Sequence, residues 1–223
     1  MYNILDRYSK KVRRQIMLQR LYDRYICPHL LNFIMARKPF PRQRANVVPF
    51  ATGRVLEIGI GSGLNFEYYD KRNVTEIFSI DPDNILLNKA KKRSKDFDLK
   101  VNFENMKAEI LPFENDTFDT VLSTYTLCSI KDANKALKEV SRVLKKDGKF
   151  IFSEHGKSPN QKTHNLQIKL NPYWSRIAGG CHLDVDIPNL IQSNNFNIPE
   201  LNQNYVPGPK FASYHYWGIA KHI

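Results

Sequence analysis

The sequence predicts an α/β fold: a doubly wound, seven-stranded sheet, mostly parallel, with a C-terminal antiparallel hairpin and additional N-terminal helices. Three observations predict it. Short apolar runs alternate with helical stretches between residues 54 and 156, as in a parallel sheet covered by helices on both faces. Two strand-like runs near the C-terminus are joined by a Pro- and Gly-rich turn at 207–210. The first 35 residues have the apolar spacing of helices.

The chain divides into two predicted regions, a basic helical extension and linker at 1–47 and a catalytic-type domain at 48–223. Between Ile4 and Met35, apolar residues recur every three or four positions and Pro28 is the only proline, so one or two amphipathic helices with a break near Pro28 are expected. Residues 37–53 contain three prolines and are predicted to form an irregular connector.

Five strands and three helices follow in alternation within the second region. The predicted strands are residues 54–60, 76–81, 101–106, 118–125 and 148–156. The predicted helices are residues 63–70, 84–97 and 133–148. The final hairpin is predicted from residues 195–208 and 211–222. In such a sheet, ligands bind outside the carboxyl ends of the parallel strands.

A glycine-rich turn, VLEIGIGSGLN at 55–65, follows the first strand. Its glycines have the spacing G-x-G-x-G and end before Leu64, whereas a dinucleotide-binding turn has its third glycine three residues after the second. Glu57 would repel a pyrophosphate and attract an ammonium group. Asp81 ends the second strand, where a carboxylate can accept the hydroxyls of a ribose. These features predict a nucleoside that carries an amino acid.

With these motifs, residues 50–156 resemble a class I S-adenosylmethionine-dependent methyltransferase of Rossmann-like fold. The turn at 55–65 matches the first motif, Asp81 the ribose-binding acid, and residues 108–130 the third and fourth motifs of the type 11 branch, which contains quinone-biosynthesis methyltransferases. Residues 22–35 and 171–191 resemble a narrower group of membrane-associated thiol methyltransferases of lipid droplets.

The resemblance implies S-adenosylmethionine as cofactor, S-adenosylhomocysteine as product, and a set of cofactor-binding positions. Those positions are Glu57, Gly59, Gly61, Gly63, Asn65, Asp81, Pro82, Ala108, Glu109 and Thr124. Within this set the glycines admit the methionine part, Glu57 holds its ammonium through water, and Asn65 caps the next helix or contacts the carboxylate. Residues 106–109 read M-K-A-E where the family has G-D-A-E, so the adenine amino group is expected to contact Glu109 or a backbone carbonyl.

Methyl transfer is an in-line displacement from an activated sulfonium, so the protein mainly aligns the reactants and excludes water. His155, after the fifth strand, is the predicted general base, with Tyr125 as the second catalytic candidate. The alternative for His155 is that it only caps its strand or binds a carbonyl. Cys128 is expected to be a buried core residue.

No metal site is predicted, because Cys181 and His182 are adjacent and have no second ligand pair in the sequence. Their segment is predicted to cover the pocket, with a flexible joint at residues 179–180. Two alternatives stay open for the C-terminal aromatic residues, which either line an apolar acceptor site or pack the hairpin on the sheet. They are Tyr173, Trp174, Tyr214, Tyr216 and Trp217.

The net charge of +12 is concentrated in the N-terminal region, since residues 1–47 hold eleven Lys and Arg against two Asp and Glu. We expect this region to contact an anionic membrane surface and to cover the acceptor pocket, although it can instead simply pack on the domain. The apolar stripe that suggests this comprises Leu5, Tyr8, Val12, Ile16, Leu21, Tyr22 and Tyr25.

The predicted partner is a small, lipophilic methyl acceptor: a thiol, a quinone precursor or a lipid. Two alternatives stay open, namely a nucleic-acid methyltransferase and a non-catalytic S-adenosylmethionine-binding module. Nucleic acid is disfavoured because STYT stands at 123–126, where amino-methylating enzymes of that class have [DNS]-PP-[YF]. Three widely spaced cysteines and the lack of a signal peptide or apolar span predict a cytoplasmic protein, peripheral to a membrane.

Overall fold

The computed structural model describes the backbone of residues 2–223 and the side chains of residues 12–223. It contains one seven-stranded sheet of order β3-β2-β1-β4-β5-β7-β6. The strands are β1 Gly53–Ile58, β2 Val74–Ile80, β3 Val101–Glu104, β4 Phe118–Thr124, β5 Leu144–His155, β6 Phe196–Tyr205 and β7 Tyr214–His222. Strands β1 to β5 are parallel, and β7 pairs antiparallel with both β5 and β6. The predicted fold class is confirmed.

Seven α-helices accompany the sheet in the described part of the chain. They are α1 Tyr2–Tyr25, α2 Cys27–Met35, α3 Phe40–Ala45, α4 Asn84–Arg93, α5 Ala133–Val143, α6 Gln161–Ile177 and α7 Ile187–Gln192. Asp83 and Asp132 cap α4 and α5 by accepting hydrogen bonds from backbone N–H groups of the first helical turn. The break between α1 and α2 lies at Ile26, close to the predicted position at Pro28.

Alternate residues of the central strands point to opposite faces, and both faces are buried. Leu56, Val121 and Phe150 belong to one apolar core, which α5 and α7 cover. Val55, Leu122 and Ile151 belong to the other. Leu87 and Ala90 of α4 complete that second core. Burial on both faces explains why these strands read as continuous apolar runs in the sequence.

The predicted helix at 63–70 is wrong, because only a single 3₁₀ turn, Phe66–Tyr68, forms after β1. Gly63 has a φ of +75°, and a Cβ there would collide with the ring of Phe66. Asn65 begins the 3₁₀ turn without capping it, since its side chain bonds to other buried groups. The chain therefore turns sharply where apolar spacing alone suggested a helix.

Three other predicted boundaries also differ. The connector at 37–53 contains α3 and a 3₁₀ turn at Val48–Phe50, since a proline in the first turn of a helix loses no hydrogen bond. Helix α5 ends at Val143, and Leu144 already pairs with Phe118 as the start of β5. Helix α6 was not predicted, because the internal proline at 172 disguises it.

The N-terminal helices dock on α4 and on the end of α6. The side chains of Gln19 and Tyr22 donate to the carbonyls of Arg176 (2.7 Å) and Ile177 (2.6 Å). His29 of α2 bonds to Lys89 of α4 (3.0 Å). Among the described helices, none combines the length and the apolar character that a bilayer crossing needs.

Only part of the predicted apolar stripe can be assessed. The side chains of Leu5 and Tyr8 lie outside the described residues. Of the others, Tyr22 is half-buried, while Val12, Ile16, Leu21 and Tyr25 are exposed. The stripe therefore faces outward over most of its described length.

Candidate functional site

The three glycines after β1 have different structural roles. All have positive φ values, +69°, +56° and +75° for Gly59, Gly61 and Gly63. A Cβ at Gly59 would overlap the Thr126 side chain, and one at Gly63 would overlap Phe66. A Cβ at Gly61 would meet no atom within 4 Å. Gly59 and Gly63 thus permit packing within the chain, whereas Gly61 exposes its backbone to open space.

A hydrogen bond joins this turn to the acid at the end of β2. The amide of Gly61 donates to Oδ2 of Asp81 (2.8 Å), and the amide of Asp83 donates to Oδ1 (2.8 Å). Burial raises the pKa of Asp81 to about 6, although both N–H bonds oppose this. Each oxygen keeps a second lone pair, so the carboxylate can accept two more hydroxyls. Pro82, which follows it, is exposed.

Glu57 is a buried carboxylate with two donors. Nδ2 of Asn65 and the hydroxyl of Tyr69 each donate to it at 2.7 Å. Burial raises the pKa of Glu57 to about 7 against the effect of these bonds and of Arg44. Asn65 also donates to Oγ1 of Thr124 (3.0 Å), while its Oδ1 is buried without a partner among the described residues. Asn65 therefore offers a free acceptor beside an acidic group.

Arg44 is a site residue that the sequence reading missed. It lies in α3, its side chain is buried, and Nη1 donates to the carbonyl of Met35 (2.8 Å). Its guanidinium carbon is 5.5 Å from the ring centroid of Tyr125. Burial lowers the pKa of Arg44, and the neighbouring Tyr125, Tyr68 and Glu57 counteract this. Arg44 is one of several basic residues in its segment, so the sequence gave no indication that its side chain would be buried beside Tyr125.

The loop after β3 lies next to Asp81. Nδ2 of Asn105 donates to the backbone carbonyl of Asp81 (2.9 Å), a contact that the sequence reading also missed. Ala108 is buried, Glu109 is half-buried, and Ile110 is largely exposed. A hydrogen bond therefore fixes the start of this loop, whereas Ile110, which follows Glu109, exposes an apolar side chain.

The carboxyl end of β4 leads to a cluster of aromatic residues. Tyr125 has a φ of +56°, and its hydroxyl lies 3.2 Å from Nδ1 of His215 on β7. The ring of Phe40 contacts Tyr125 edge-on at 5.0 Å between centroids. Burial, and secondarily His155, lowers the pKa of His215 to about 3. Burial raises the pKa of Tyr125, so both groups are neutral near pH 7.

His215 could not be located from the sequence, because the antiparallel register alone brings it beside the site. In that register His155 of β5 pairs with His215 of β7. His155 is buried and its Nε2 lies 2.8 Å from Sγ of Cys181. Its Nδ1 has no partner among the described side chains. Burial lowers the pKa of His155, but the neighbouring Cys128 and Glu154 together raise it by more, so the pKa lies above its ordinary value.

Cys128 is buried, as expected from the sequence, but it does not lie in an ordinary apolar core. The ligand atoms of Cys128, His155 and Cys181 all lie within 4.8 Å of one another. The adjacent Cys181 and burial raise the pKa of the Cys128 thiol. The sequence spacing of these three residues did not suggest that they meet, since the end of β5 and the loops after β4 and α6 bring them together.

The aromatic residues of the hairpin mainly pack on one another. Tyr214 contacts both Tyr205 and Tyr216, at 4.8 Å and 5.2 Å between ring centroids. Trp174 of α6 packs against Phe211 and donates to Sγ of Cys181 (3.3 Å). The sequence left open whether these residues line an acceptor site or pack the hairpin on the sheet. The contacts of Tyr214 and Tyr216 agree with packing.

Comparison with known proteins relates this arrangement to methyltransferases. A family model described as a methyltransferase domain matches residues 56–152. The chain is 31% identical over 163 residues to the thiol S-methyltransferase TMT1B of Rattus norvegicus, covering 70% of this chain and 64% of the relative. It is 32% identical over 167 residues to the ubiquinone/menaquinone biosynthesis C-methyltransferase UbiE of Rickettsia typhi, covering 70% and 66%. The chain thus spans just under two thirds of the length of these relatives.

The fold is similar to that of solved structures as well. A SAM-dependent methyltransferase from Thermotoga maritima superposes with a TM-score of 0.62 over 91% of this chain and 98% of that chain. The two sequences are 18% identical, so this likeness shows a shared fold.

Proposed function

The chain belongs to the class I S-adenosylmethionine-dependent methyltransferases, and we propose that it methylates a small, lipophilic acceptor, which is a thiol, a quinone precursor or a lipid. The observation that carries the proposal is the 2.8 Å hydrogen bond between Gly61 and Asp81. It joins the open glycine of the first motif to the predicted ribose-binding acid. Two features that are twenty residues apart in sequence are thereby brought together at the carboxyl ends of β1 and β2.

We place the cofactor along the carboxyl ends of β1, β2 and β4. The ribose hydroxyls bond to the free lone pairs of Asp81, and the adenine lies beside Ala108 and Glu109. The methionine ammonium bonds to Oδ1 of Asn65, beside Glu57, and Arg44 attracts the carboxylate. Support for the amino-acid end comes from burial, because Oδ1 of Asn65 and Nε of Arg44 have no partners among the described residues.

Burial on the acceptor side supports a reaction that excludes water. Tyr125 and His215 form a neutral, hydrogen-bonded pair beside the end of β4, and we assign them a role in orienting the acceptor rather than in taking its proton. His155 stays a predicted base, although its Nε2 is engaged by Cys181 and only Nδ1 is free. Alignment of acceptor and sulfonium supplies most of the catalysis.

A membrane contact at the N-terminal helices extends this proposal. The surface formed by α1, α2 and α6 exposes large apolar side chains next to basic ones. The exposed apolar residues there include Ile16, Leu18, Leu21, Ile26, Phe33, Ile168 and Ile177. Side chains of α1 and α6 also line a groove of about 600 Å³. An amphipathic surface of this kind suits an anionic bilayer that supplies a lipophilic acceptor.

The proposal is tested by methyl transfer to a panel of small thiols, quinols, amines, lipids and RNA, with S-adenosylhomocysteine release as the readout. We expect turnover on a lipophilic acceptor. Asp81→Ala should lose at least one charge-assisted hydrogen bond, about 1.5 to 3 kcal/mol, and thus weaken cofactor binding roughly 10- to 100-fold.

Asp147→Ala is the matched control, because Asp147 is an exposed aspartate near the start of β5 and far in sequence from the proposed site. It should bind the cofactor as the unmodified chain does. An unchanged cofactor affinity in Asp81→Ala would show that Asp81 does not bind the cofactor. Turnover on RNA alone would replace the lipophilic acceptor by a nucleic acid.

A further inference from the structure

Cys128, His155 and Cys181 form a compact cluster of metal-ligating side chains at the carboxyl ends of β4 and β5. Their ligand atoms all lie within 4.8 Å of one another, and all three residues are buried. The cysteines are not joined by a disulfide. Two thiols and an imidazole are the ligands that zinc prefers in proteins. We propose that these three residues bind one Zn²⁺ ion.

The geometry needs only a small adjustment. Zinc lies about 2.3 Å from sulfur and about 2.0 Å from nitrogen, so neighbouring atoms of a tetrahedral site are roughly 3.5 Å apart. Nε2 of His155 and Sγ of Cys181 are 2.8 Å apart and must separate by about 0.7 Å. The flanking glycine pair at 179–180 has positive φ angles and exposed surfaces, so this loop can accommodate the movement.

Two further observations support a bound ion. The indole Nε1 of Trp174 donates to Sγ of Cys181 (3.3 Å), as an outer hydrogen bond to a metal-bound thiolate would. The backbone amide of His182 donates to the carbonyl of Cys128 (2.9 Å), which ties the loop after α6 to the loop after β4.

The site would leave one position open. Within the described chain, the cluster comprises three ligands, and three protein ligands with a vacant fourth position are typical of catalytic zinc. At the acceptor end of the sheet, the fitting fourth ligand is a thiolate. This step rests on the proposed function and selects a thiol among its acceptors.

The chemistry is that of a metal-held nucleophile. The acceptor thiol loses its proton to solvent on binding to zinc, because the ion stabilises the thiolate. Its sulfur then forms a bond to the methyl carbon while the bond from that carbon to the sulfonium breaks. The products are a methyl thioether and S-adenosylhomocysteine. Zinc ligation and general-base catalysis by His155 exclude each other.

The metal is tested without cofactor or acceptor, so the result does not depend on methyl transfer. The full chain is kept reduced, stripped with a chelator and titrated with zinc against a competing dye. We expect one zinc per chain. With cobalt in place of zinc, we expect the visible bands of a tetrahedral ion and a charge-transfer band from two thiolates.

Three variants identify the ligands. Cys128→Ser, Cys181→Ser and His155→Gln should each lower zinc affinity at least 100-fold, since even outer-shell changes cost about 10- to 100-fold. Cys27→Ser is the matched control, because Cys27 is a buried, free cysteine outside the cluster. It should bind zinc normally. Should a ligand variant fail to fold, the cobalt spectrum of the unmodified chain still tests the two-thiolate site.

Several outcomes would overturn the proposal. Binding of less than one zinc per chain at micromolar concentration would do so, as would a cobalt spectrum without thiolate bands. So would a loss of zinc affinity in Cys27→Ser equal to that in the ligand variants. A disulfide between Cys128 and Cys181, found in cells lysed under thiol-blocking conditions, would also exclude the site. The open position is tested by adding thiophenol to the cobalt protein, which should strengthen the thiolate band. Thioanisole should not, and an unchanged spectrum with thiophenol would refute the thiol ligand.

Discussion

A few buried polar groups at the proposed cofactor site have incomplete hydrogen bonding. Glu57 is 1% exposed and Asn65 is 2% exposed, and the amide of Asn65 donates to Glu57. Arg44 supplies the opposite charge. Burying such groups costs free energy unless they are paired, so their unmade hydrogen bonds support the proposal that a zwitterionic ligand binds here.

Gly61→Val should abolish cofactor binding and leave the fold intact. The added Cβ points into open space, so it meets the ligand and not the protein. The positive φ costs about 1 to 2 kcal/mol for any non-glycine residue. Calorimetry with S-adenosylhomocysteine and thermal melting provide the measurements.

Gly180→Val is its matched control, because Gly180 also has a positive φ (+84°) and its added Cβ would approach no atom closer than 3.7 Å. It carries the same backbone strain away from the turn and should bind the cofactor. Normal binding by Gly61→Val would contradict the placement of the ligand.

Glu57 should make the unliganded protein less stable as the pH rises from about 4.5 to about 7. Its pKa in the folded state is about 7 against 4.5 for the free group, so in this window the folded chain keeps a proton that the unfolded chain has lost. The difference amounts to roughly 3 kcal/mol at about 1.4 kcal/mol per pH unit.

Urea unfolding at pH 5 and pH 8 measures this effect, with Glu57→Gln as the comparison. Glutamine does not titrate, so the variant should lose less stability over the same range. Cofactor affinity should change in the opposite direction and rise toward pH 8, because an ammonium favours the charged carboxylate. Equal pH slopes for both chains would show that Glu57 is not the titrating group.

At the scale of secondary-structure elements, the N-terminal helices have two distinct roles. Helix α3 places Phe40 and Arg44 beside Tyr125. Among the described side chains of α1, Gln19 and Tyr22 donate hydrogen bonds to carbonyls at the end of α6. Other described side chains of α1, both apolar and basic, are exposed to solvent.

Replacing Arg13, Arg14, Arg20 and Arg24 by Glu should abolish binding to anionic vesicles. All four are exposed. Each base near an anionic surface contributes about 1 kcal/mol, so the four together change partitioning by up to roughly a thousandfold at low salt. Co-sedimentation with anionic and neutral vesicles measures it.

A control with the same charge change uses Lys131, Lys135, Lys138 and Lys146, which are exposed on and around α5. Their replacement by Glu should weaken binding far less, since only the net charge changes. If both sets act equally, general charge and not α1 is responsible. Equal binding to anionic and neutral vesicles would contradict the proposed contact with an anionic membrane.

At the scale of the whole molecule, the site draws on parts of the chain that are far apart in sequence. The first motif, the loop after β4, β7 of the C-terminal hairpin and α3 all contribute side chains to it. The ring of Phe40 contacts the rings of Tyr125 and His215, although Phe40 and His215 are 175 residues apart in the sequence. A substrate pocket of this kind depends on complete folding.

Deleting residues 1–25 should lower acceptor turnover and leave cofactor affinity nearly unchanged. This truncation removes α1 and keeps Met35, whose carbonyl holds Arg44. Loss of α1 removes the wall that it contributes to the groove beside α6 and leaves the end of α6 open to water, so we expect kcat/KM to fall about 10-fold or more. Methyl transfer and calorimetry with S-adenosylhomocysteine separate the two effects. Unaltered turnover would refute the covering role of α1.

Sequence patterns were sufficient for the sheet, for the glycine turn and for the position of Asp81 directly after β2, while its role in binding ribose stays a prediction. Each of these depends on local features: apolar runs that must be buried on both faces, glycines at positive φ, and an acid at a strand end. Local spacing misled where tertiary contacts prevailed, as at residues 63–70, where Asn65 bonds to Glu57 and Thr124 instead of capping a helix.

Only the folded chain showed Arg44, His215 and the cluster of Cys128, His155 and Cys181. These side chains meet through long-range pairing, as in the register of β5 with β7 and the bond between the loops after β4 and α6. Sequence periodicity indicates which face of a helix or strand is buried, but it gives no information about the distance between two such elements in the fold. Packing sets that distance, and with it the chemistry that the buried groups can perform.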